Sequence, residues 1–358
     1  MESVRWIRGA VPVATLALIG AAALARPSLL EAADPPWDPP SCPAATGAPA
    51  IVVPAWYRLD GVVDETGTLS GHRLTVGALG EPGRAIPLPP ESFATGPVEG
   101  RVLVGADDGS RSRLELLNVG RGCRTVVADE AAVVRSALVT PDAAAVVEHR
   151  VDRTSRADLG IWRVPAAGGP ATRIVAGIAP DARYGPTFST ELRWAPDGRL
   201  AVTACGESRC RTRLVAVASG RATAFGPTGP VLGVTSDGAL IANAGCGGFP
   251  CAIVRREPGR DAVVLVERAG LATMAGDRVV FEAGPGRLAV IDALTGSLSR
   301  LDEADGLTPV ATGSHARAGA SRADDAALLV LGSRLDGRSV RVLPADAVTP
   351  TRPTELVR

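Results

Sequence analysis

The chain has 358 residues, and its 38 arginines are balanced by 38 acidic residues, so the formal net charge is zero. A neutral chain has no global field that would recruit nucleic acid or an acidic membrane surface. The sequence contains no lysine, which excludes a Schiff-base lysine, a phosphate-loop lysine and a kinase-type lysine. The 41 glycines and 29 prolines favour many short strands and turns over long helices.

The N-terminal segment, residues 1–33, has the pattern of an export signal. Arg5 and Arg8 precede an uncharged apolar run over residues 11–25, and small residues follow where a signal peptidase would cut. The run is shorter than the roughly 20 apolar residues that a spanning helix needs. We therefore expect either a cleavable signal peptide or a single retained N-terminal membrane anchor, and both place the remainder outside the cytoplasm. Residues 34–50 form a Pro-rich linker.

From residue 51 onward, the sequence repeats a unit of about 40 residues. Residues 192–220 and 232–259 share an Asp-Gly turn, an apolar run, a Cys-x4-Cys loop, a second apolar run and a Gly turn. Asp197, Asp237 and Asp277 mark the same turn in successive units. A period near 40 that is built from short strands is typical of a propeller blade.

The repeat predicts an all-β chain that folds as a seven-bladed β-propeller over residues 51–358. One blade would combine strands from both chain ends, with residues 51–53 as the N-terminal contribution. The predicted blades span residues 51–90, 93–130, 133–177, 188–227, 230–267, 270–302 and 315–358.

The segment WAPDGRLAV, residues 194–202, resembles the repeat of TolB-type and WD40-like propellers. The resemblance implies that Asp197-Gly198 turns the chain between the innermost strand and the next one, and that Trp194 packs between blades. In contrast to full-length TolB proteins, we expect no α/β domain before the repeats. The binding partner of that family is therefore not carried over to this chain.

Six cysteines in an exported chain favour disulfides. The duplicated Cys-x4-Cys spacing predicts local bridges from Cys205 to Cys210 and from Cys246 to Cys251. These pairs leave Cys42 and Cys123, whose bond would pin the linker to the ring. A zinc site of four thiolates is the alternative for the two local pairs, but it requires loops on neighbouring blades to share one ion.

Two long loops are predicted to open on the same face of the propeller. The first carries Arg150, Arg153 and Arg156, and the second carries Arg183 and Tyr184. Arginine and aromatic residues are enriched at binding hot spots, and arginine grips carboxylates and phosphates with two hydrogen bonds. These five residues are the predicted binding site for a partner. The alternative is an internal Arg–Asp network that only orders the loop.

No sequence motif indicates an enzyme, a cofactor or a metal site. The chain has three histidines, His72, His149 and His315, and it lacks HExxH and GxSxG patterns. We therefore expect an extracytoplasmic module that binds or scaffolds a protein or another envelope component. The alternatives are a secreted hydrolase or lyase that works from the central channel, and an envelope sensor that signals through a retained N-terminal helix.

Overall fold

The structure is a computed structural model, and its described part contains strands, turns and loops without a helix. The described residues are 37–43, 54–63, 69–78, 81, 83–177, 189–205, 210–245, 250–284, 287–301, 307–309, 316–321, 328–333, 340–344 and 349–350. Within these ranges, no helix is long and apolar enough to cross a membrane. The predicted export signal and residues 51–53 lie outside them.

The described residues form 28 strands. In chain order they are β1 (Ala55–Val63), β2 (Leu69–Ala78), β3 (Arg84–Leu88), β4 (Ser92–Val98), β5 (Arg101–Asp107), β6 (Ser112–Asn118), β7 (Cys123–Glu130), β8 (Val133–Val139), β9 (Ala145–Val151), β10 (Asp158–Pro165), β11 (Thr172–Val175), β12 (Ser189–Trp194), β13 (Leu200–Cys205), β14 (Cys210–Val215), β15 (Ala222–Thr228), β16 (Val231–Val234), β17 (Leu240–Ala244), β18 (Cys251–Arg256), β19 (Val263–Ala269), β20 (Ala272–Ala275), β21 (Arg278–Gly284), β22 (Arg287–Asp292), β23 (Leu298–Arg300), β24 (Leu307–Pro309), β25 (Ala316–Ser321), β26 (Leu328–Ser333), β27 (Val340–Pro344) and β28 (Thr349–Pro350).

Six antiparallel sheets of four or more strands form the blades of a propeller in the described part of the chain. Blades 2 to 5 are β4–β7, β8–β11, β12–β15 and β16–β19, and blade 6 is β20–β23 with β28 added at its outer edge. Blade 1 has the order β25-β1-β2-β3. The first strands of blades 1 to 6 contact one another in this order, and β26 contacts both β20 of blade 6 and β25 of blade 1.

The prediction of seven blades is wrong, because the C-terminal segment does not build a blade of its own. Residues 316–321 pair with β1, from Ala55 opposite Ser321 to Asp60 opposite Ala316. β28 joins blade 6, and β24, β26 and β27 form a sheet of three strands. The first blade needs an inner strand to cover the edge of β1, and the chain supplies it from its C-terminal part. Blade 1 thus combines an N-terminal and a C-terminal segment, whereas the predicted contribution of residues 51–53 lies outside the described residues.

The Asp-Gly turns form as the repeat predicts. Between β12 and β13, the Ala195 N–H donates to the Arg199 carbonyl at 2.8 Å, and Gly198 has a positive φ of 78°. A side chain is disfavoured in this left-handed conformation, so glycine suits the position. The equivalent turn of blade 5 has Gly238 at φ 86°.

The hydrophobic core consists of layers between neighbouring blades. Leu103 of blade 2 and Val146 of blade 3 belong to one cluster, and Ile241 of blade 5 and Phe281 of blade 6 belong to another. All four side chains are buried. Because each layer needs both blades, one blade alone cannot bury its apolar faces.

Side-chain hydrogen bonds also link neighbouring blades. The Tyr57 hydroxyl donates to the Ala94 carbonyl at 3.3 Å, and the Thr95 hydroxyl donates to the Ala137 carbonyl at 2.9 Å. The Trp194 indole N–H donates to the Val139 carbonyl at 2.7 Å. The bond of Trp194 confirms that this side chain packs between blades, as the resemblance implied.

Two predicted disulfides are confirmed. Cys42 bonds to Cys123, and Cys205 bonds to Cys210. Cys251 is also disulfide-bonded, but its predicted partner Cys246 lies outside the described residues, so that pairing stays a prediction. Disulfides persist in oxidising compartments, which fits an extracytoplasmic location.

The Cys42–Cys123 bond fastens residues 37–43 to the outer edges of blades 1 and 2. The Trp37 N–H donates to the Ala85 carbonyl at 3.0 Å, and the Cys42 N–H donates to the Arg124 carbonyl at 2.8 Å. Ser41 and Arg124 form a parallel bridge. These residues are part of the predicted Pro-rich linker, which is therefore pinned to the ring.

We predict that removing the two bridges lowers stability by different amounts. Cys42 and Cys123 are 81 residues apart, whereas Cys205 and Cys210 are 5 apart. In the chain-entropy description, the double serine variants lose about 4.5 and about 2 kcal/mol of unfolding free energy, respectively. Urea unfolding under oxidising conditions measures both. A larger loss from the short bridge would contradict this account.

Candidate functional site

The loop between β9 and β10, residues 152–157, carries two of the predicted binding residues and is called the Arg loop below. Strand direction alternates within a blade, so this loop lies on the same face as the connections between blades. Asp107 at the end of β5 and Gly109 in the next loop lie on that face of blade 2, and Arg153 bonds to both. The Arg loop is thus held against the neighbouring blade.

Asp152 gives the Arg loop its internal structure. Its carboxylate accepts hydrogen bonds from the Thr154 N–H at 3.1 Å and from the N–H and hydroxyl of Ser155, both at 2.7 Å. The Arg156 N–H donates to the Asp152 carbonyl, and the Asp152 N–H donates to the Ala157 carbonyl. Hydrogen bonds from the Ser155 backbone and hydroxyl lower the pKa of Asp152. The ionised Asp152 thus organises the turn.

Arg153 joins the Arg loop to blade 2 and to the connection between β7 and β8 through four hydrogen bonds. Its guanidinium donates to both carboxylate oxygens of Asp107, at 2.9 and 2.7 Å, and to the carbonyls of Gly109 and Ala131, at 2.9 and 3.1 Å. The hydrogen bonds from Arg153 lower the pKa of Asp107 to about 2. Asp107 is therefore ionised near neutral pH, and the bidentate pair fixes the loop in one position.

Arg150 points into the boundary between blades 2 and 3. Its guanidinium donates to Glu148 and, at 2.7 Å, to Glu130 of β7. The same group lies 4.8 Å from the ring centroid of Trp162. Arg150 is 8% exposed, so its charge interacts with these neighbouring side chains and not with solvent.

Glu148 is fully buried beside Arg150. Burial raises the pKa of Glu148 to about 6, and the charge of Arg150 lowers it only in part. Among the described residues, its second carboxylate oxygen has no hydrogen-bond partner. The ionised form of Glu148 is therefore disfavoured in the folded protein relative to an exposed glutamate.

Arg156 is the arginine of the Arg loop that is presented to solvent. Its side chain is exposed, and it forms no ion pair with any residue in the described part of the chain. Its backbone has a positive φ of 61°, which side-chain-bearing residues adopt at a cost. Backbone strain of this kind often occurs at functional sites.

The described histidines occupy buried positions. His149 is 3% exposed, and its Nε2 lies 3.0 Å from Asp158 Oδ1, which joins the two strands at the base of the Arg loop. His72 is 5% exposed, and its Nδ1 lies 3.3 Å from the Pro89 carbonyl oxygen. His315 lies outside the described residues. His149 therefore helps to hold together the two strands that carry the Arg loop.

The structure separates the predicted site residues into different positions. Arg150, Arg153 and Arg156 share one hairpin, but only Arg156 is directed to solvent without an ion pair in the described region. Arg183 and Tyr184 lie outside the described residues, and their part in the site stays a prediction. The described residues contain no group of three or more His, Cys, Asp or Glu side chains placed to hold a metal ion.

Sequence analysis missed Asp107 and Trp162. Trp162 is directly opposite Glu148 in the pairing of β9 and β10, so the hairpin register alone could have placed it near Arg150. Asp107 belongs to another blade, and no local pattern connects it to Arg153.

Comparison with protein-family models and with curated proteins found no match. Among solved structures, TolB from Acinetobacter baumannii is 14% identical with a TM-score of 0.46, over 71% of this chain and 64% of that one. Puromycin hydrolase is 14% identical with a TM-score of 0.49, over 88% and 54%. A putative TolB from Agrobacterium tumefaciens is 14% identical with a TM-score of 0.41, over 81% and 88%.

The chain spans less than two thirds of the length of the first two of these proteins. With all identities below 25% and all TM-scores below 0.5, nothing about activity or partners follows from the likeness. The chain resembles TolB-type and other β-propellers in its fold alone.

We predict that acidification stabilises the protein through Glu148. The folded protein holds this proton more tightly than the unfolded chain, because the folded-state pKa is raised. The contribution of Glu148 to the unfolding free energy should therefore increase by about 2 kcal/mol as the pH falls from above 6 to below about 4.5. The difference in unfolding free energy between the wild type and Glu148→Gln, followed by urea titration at several pH values, isolates this contribution. A difference that does not change with pH would contradict it.

Proposed function

We propose that the chain is an extracytoplasmic β-propeller that binds a protein or another envelope component through the Arg loop, with Arg156 as the main contact. The observation that carries the proposal is the contrast between Arg156 and its neighbours. Arg150 and Arg153 are held by carboxylates, whereas Arg156 is exposed without an ion pair in the described region.

The Arg loop is organised before any partner arrives. Arg153 fixes it to Asp107 of blade 2, Asp152 closes it internally, and His149 and Asp158 join the strands at its base. A loop that is already ordered loses little conformational entropy on binding. Arg156 has a positive φ, which glycine adopts more readily than arginine. The contacts around the loop hold Arg156 in this conformation, which supports the view that the loop is already ordered.

The chemistry of Arg156 favours an anionic group on the partner. A guanidinium donates two parallel hydrogen bonds to a carboxylate or a phosphate, and arginine is common at binding hot spots. Arg150 and Arg153 would then position the contact, and Arg183 and Tyr184 would extend it. The predicted N-terminal signal or anchor would place this face in the cell envelope, released in the first case and tethered in the second.

We predict that binding and stability respond in opposite ways at position 156. Glycine adopts a positive φ without a steric penalty, so Arg156→Gly should unfold at the same or a slightly higher temperature than the wild type, while capture of the partner from envelope extract is lost. Arg156→Ala should also lose capture and be slightly less stable than the glycine variant.

Arg153→Ala is the matched control, since it removes an arginine of the same loop that is bonded to Asp107. This variant should lower the melting temperature clearly. Full capture of the partner by both Arg156 variants would contradict the proposal. A loss of capture that parallels the loss of stability among the variants would also contradict it.

A further inference from the structure

Several partly buried arginines of the described structure are paired with acidic side chains, as Arg153 is with Asp107. Arg101, Arg163 and Arg213 are also partly buried, but their side chains form no hydrogen bond or ion pair within the described part of the chain. Two of these three arginines, Arg163 and Arg213, belong to the neighbouring blades 3 and 4.

The pairing of the strands directs these two side chains into the boundary between blades 3 and 4. Arg163 of β10 is opposite Val147, and Arg213 of β14 is opposite Val202. Val147 and Val202 belong to one apolar cluster that joins the two blades. Because directly opposite residues project from the same face of a sheet, Arg163 points toward blade 4 and Arg213 points toward blade 3.

The two arginines lie at similar heights in their blades. The bond from the Trp194 indole to the Val139 carbonyl fixes how the two sheets are aligned. Arg163 is one rung of strand pairs from Val139, and Arg213 is two rungs from Trp194 in the same direction. Both arginines are in the third strand of their blade, so they face each other across the outer part of the boundary.

The described strands of blades 3 and 4 supply no carboxylate to these arginines. Glu148 bonds to Arg150 at the boundary with blade 2. Glu191 is on the opposite face of blade 4, toward blade 5. Asp158 lies on the side of blade 3 that faces blade 4, and it bonds to His149.

The turn between β8 and β9 carries a further carboxylate, Asp142. The hydrogen bond from the Thr140 hydroxyl is the main cause that lowers the pKa of Asp142, and the charge of Arg163 lowers it to a smaller extent. Asp142 and Arg163 form no ion pair. Arg163 and Arg213 are thus two partly buried like charges that face each other without a counter-ion in the described structure, which is unfavourable because burial weakens the screening by water.

We propose that the boundary between blades 3 and 4 binds a phosphate group between Arg163 and Arg213. Each guanidinium can donate two parallel hydrogen bonds to phosphate oxygens. The two positive charges also balance the two negative charges of a phosphate dianion. This site is separate from the Arg loop, so it does not depend on the proposed function.

The test compares the wild type with Arg163→Gln and Arg213→Gln, which keep most of the side chain and remove the charge. Isothermal titration calorimetry at mildly alkaline pH, with inorganic phosphate as the probe, should show about tenfold weaker binding for each variant. Phosphate should raise the melting temperature of the wild type above its value in sodium chloride of equal ionic strength. In chloride, each variant should melt at the same or a slightly higher temperature than the wild type, because the repulsion is removed.

Phenyl phosphate is the second probe, since it shows whether the phosphate group can belong to a larger molecule. Binding at least as tight as that of inorganic phosphate would assign the site to phosphate monoesters, and weaker binding would assign it to the free ion. Both probes should depend on Arg163 and Arg213 in the same way.

Arg101→Gln is the matched control, because Arg101 is partly buried without an ion pair in the described region but belongs to blade 2. It should bind phosphate like the wild type, and so should Arg156→Gly, whose capture of a partner tests the proposed function alone. The proposal is overturned if phosphate and chloride affect the wild type equally. It is also overturned if Arg101→Gln weakens phosphate binding as much as the variants at Arg163 and Arg213.

Discussion

The separation of the blades is the constraint on which the rest of the structure depends. Neighbouring blades share no ladder of backbone hydrogen bonds in the described structure, so apolar layers and a few side-chain bonds must hold the ring together. On the face that carries the Arg loop, the pair of Arg153 and Asp107 makes this link between blades 2 and 3. The same pair therefore contributes to the ring and positions the loop.

Arginine suits this task for a specific reason. Arg153 bonds to two carboxylate oxygens and two carbonyl oxygens at once, which an ammonium group with three donors cannot reproduce. Arg150 uses the same planar geometry to bond to Glu130 and Glu148 while its face lies over Trp162. Arg150 and Arg153 thus hold the hairpin in place, whereas Arg156 is exposed and forms no ion pair in the described region.

The repeat allowed much of the fold to be predicted from the sequence. The Asp-Gly turns, the limits of blades 2 to 6 and the position of Trp194 between blades all follow from local patterns. The way in which the ring closes could not be predicted in this way, because the sequence of residues 316–321 fits a blade strand in any of the sheets. Local periodicity shows that these residues form a strand. Whether the strand pairs with β1 or belongs to a seventh blade depends on which strand edge the rest of the fold leaves unpaired.

The sequence likewise predicted only part of the candidate site. The loop and its arginines were found from the density of charge, whereas their roles depend on partners in other strands. Asp107 is 46 residues from Arg153, and nothing in the spacing of the charges connects the two. Only the structure distinguishes Arg150 and Arg153, which are held by carboxylates, from Arg156, which is exposed.

Amide hydrogen exchange in the Arg loop tests the central claim most directly, since the claim is that the contact with blade 2 holds this loop in shape. The wild type is compared with Arg153→Ala, and the amides of Asp152 and Arg156, which donate to Ala157 and Asp152, report on the loop. The account predicts that these amides exchange faster in the variant, while those of β13 and β17 keep their protection. Unchanged exchange in the loop of a variant that has lost the Asp107 contact would contradict it.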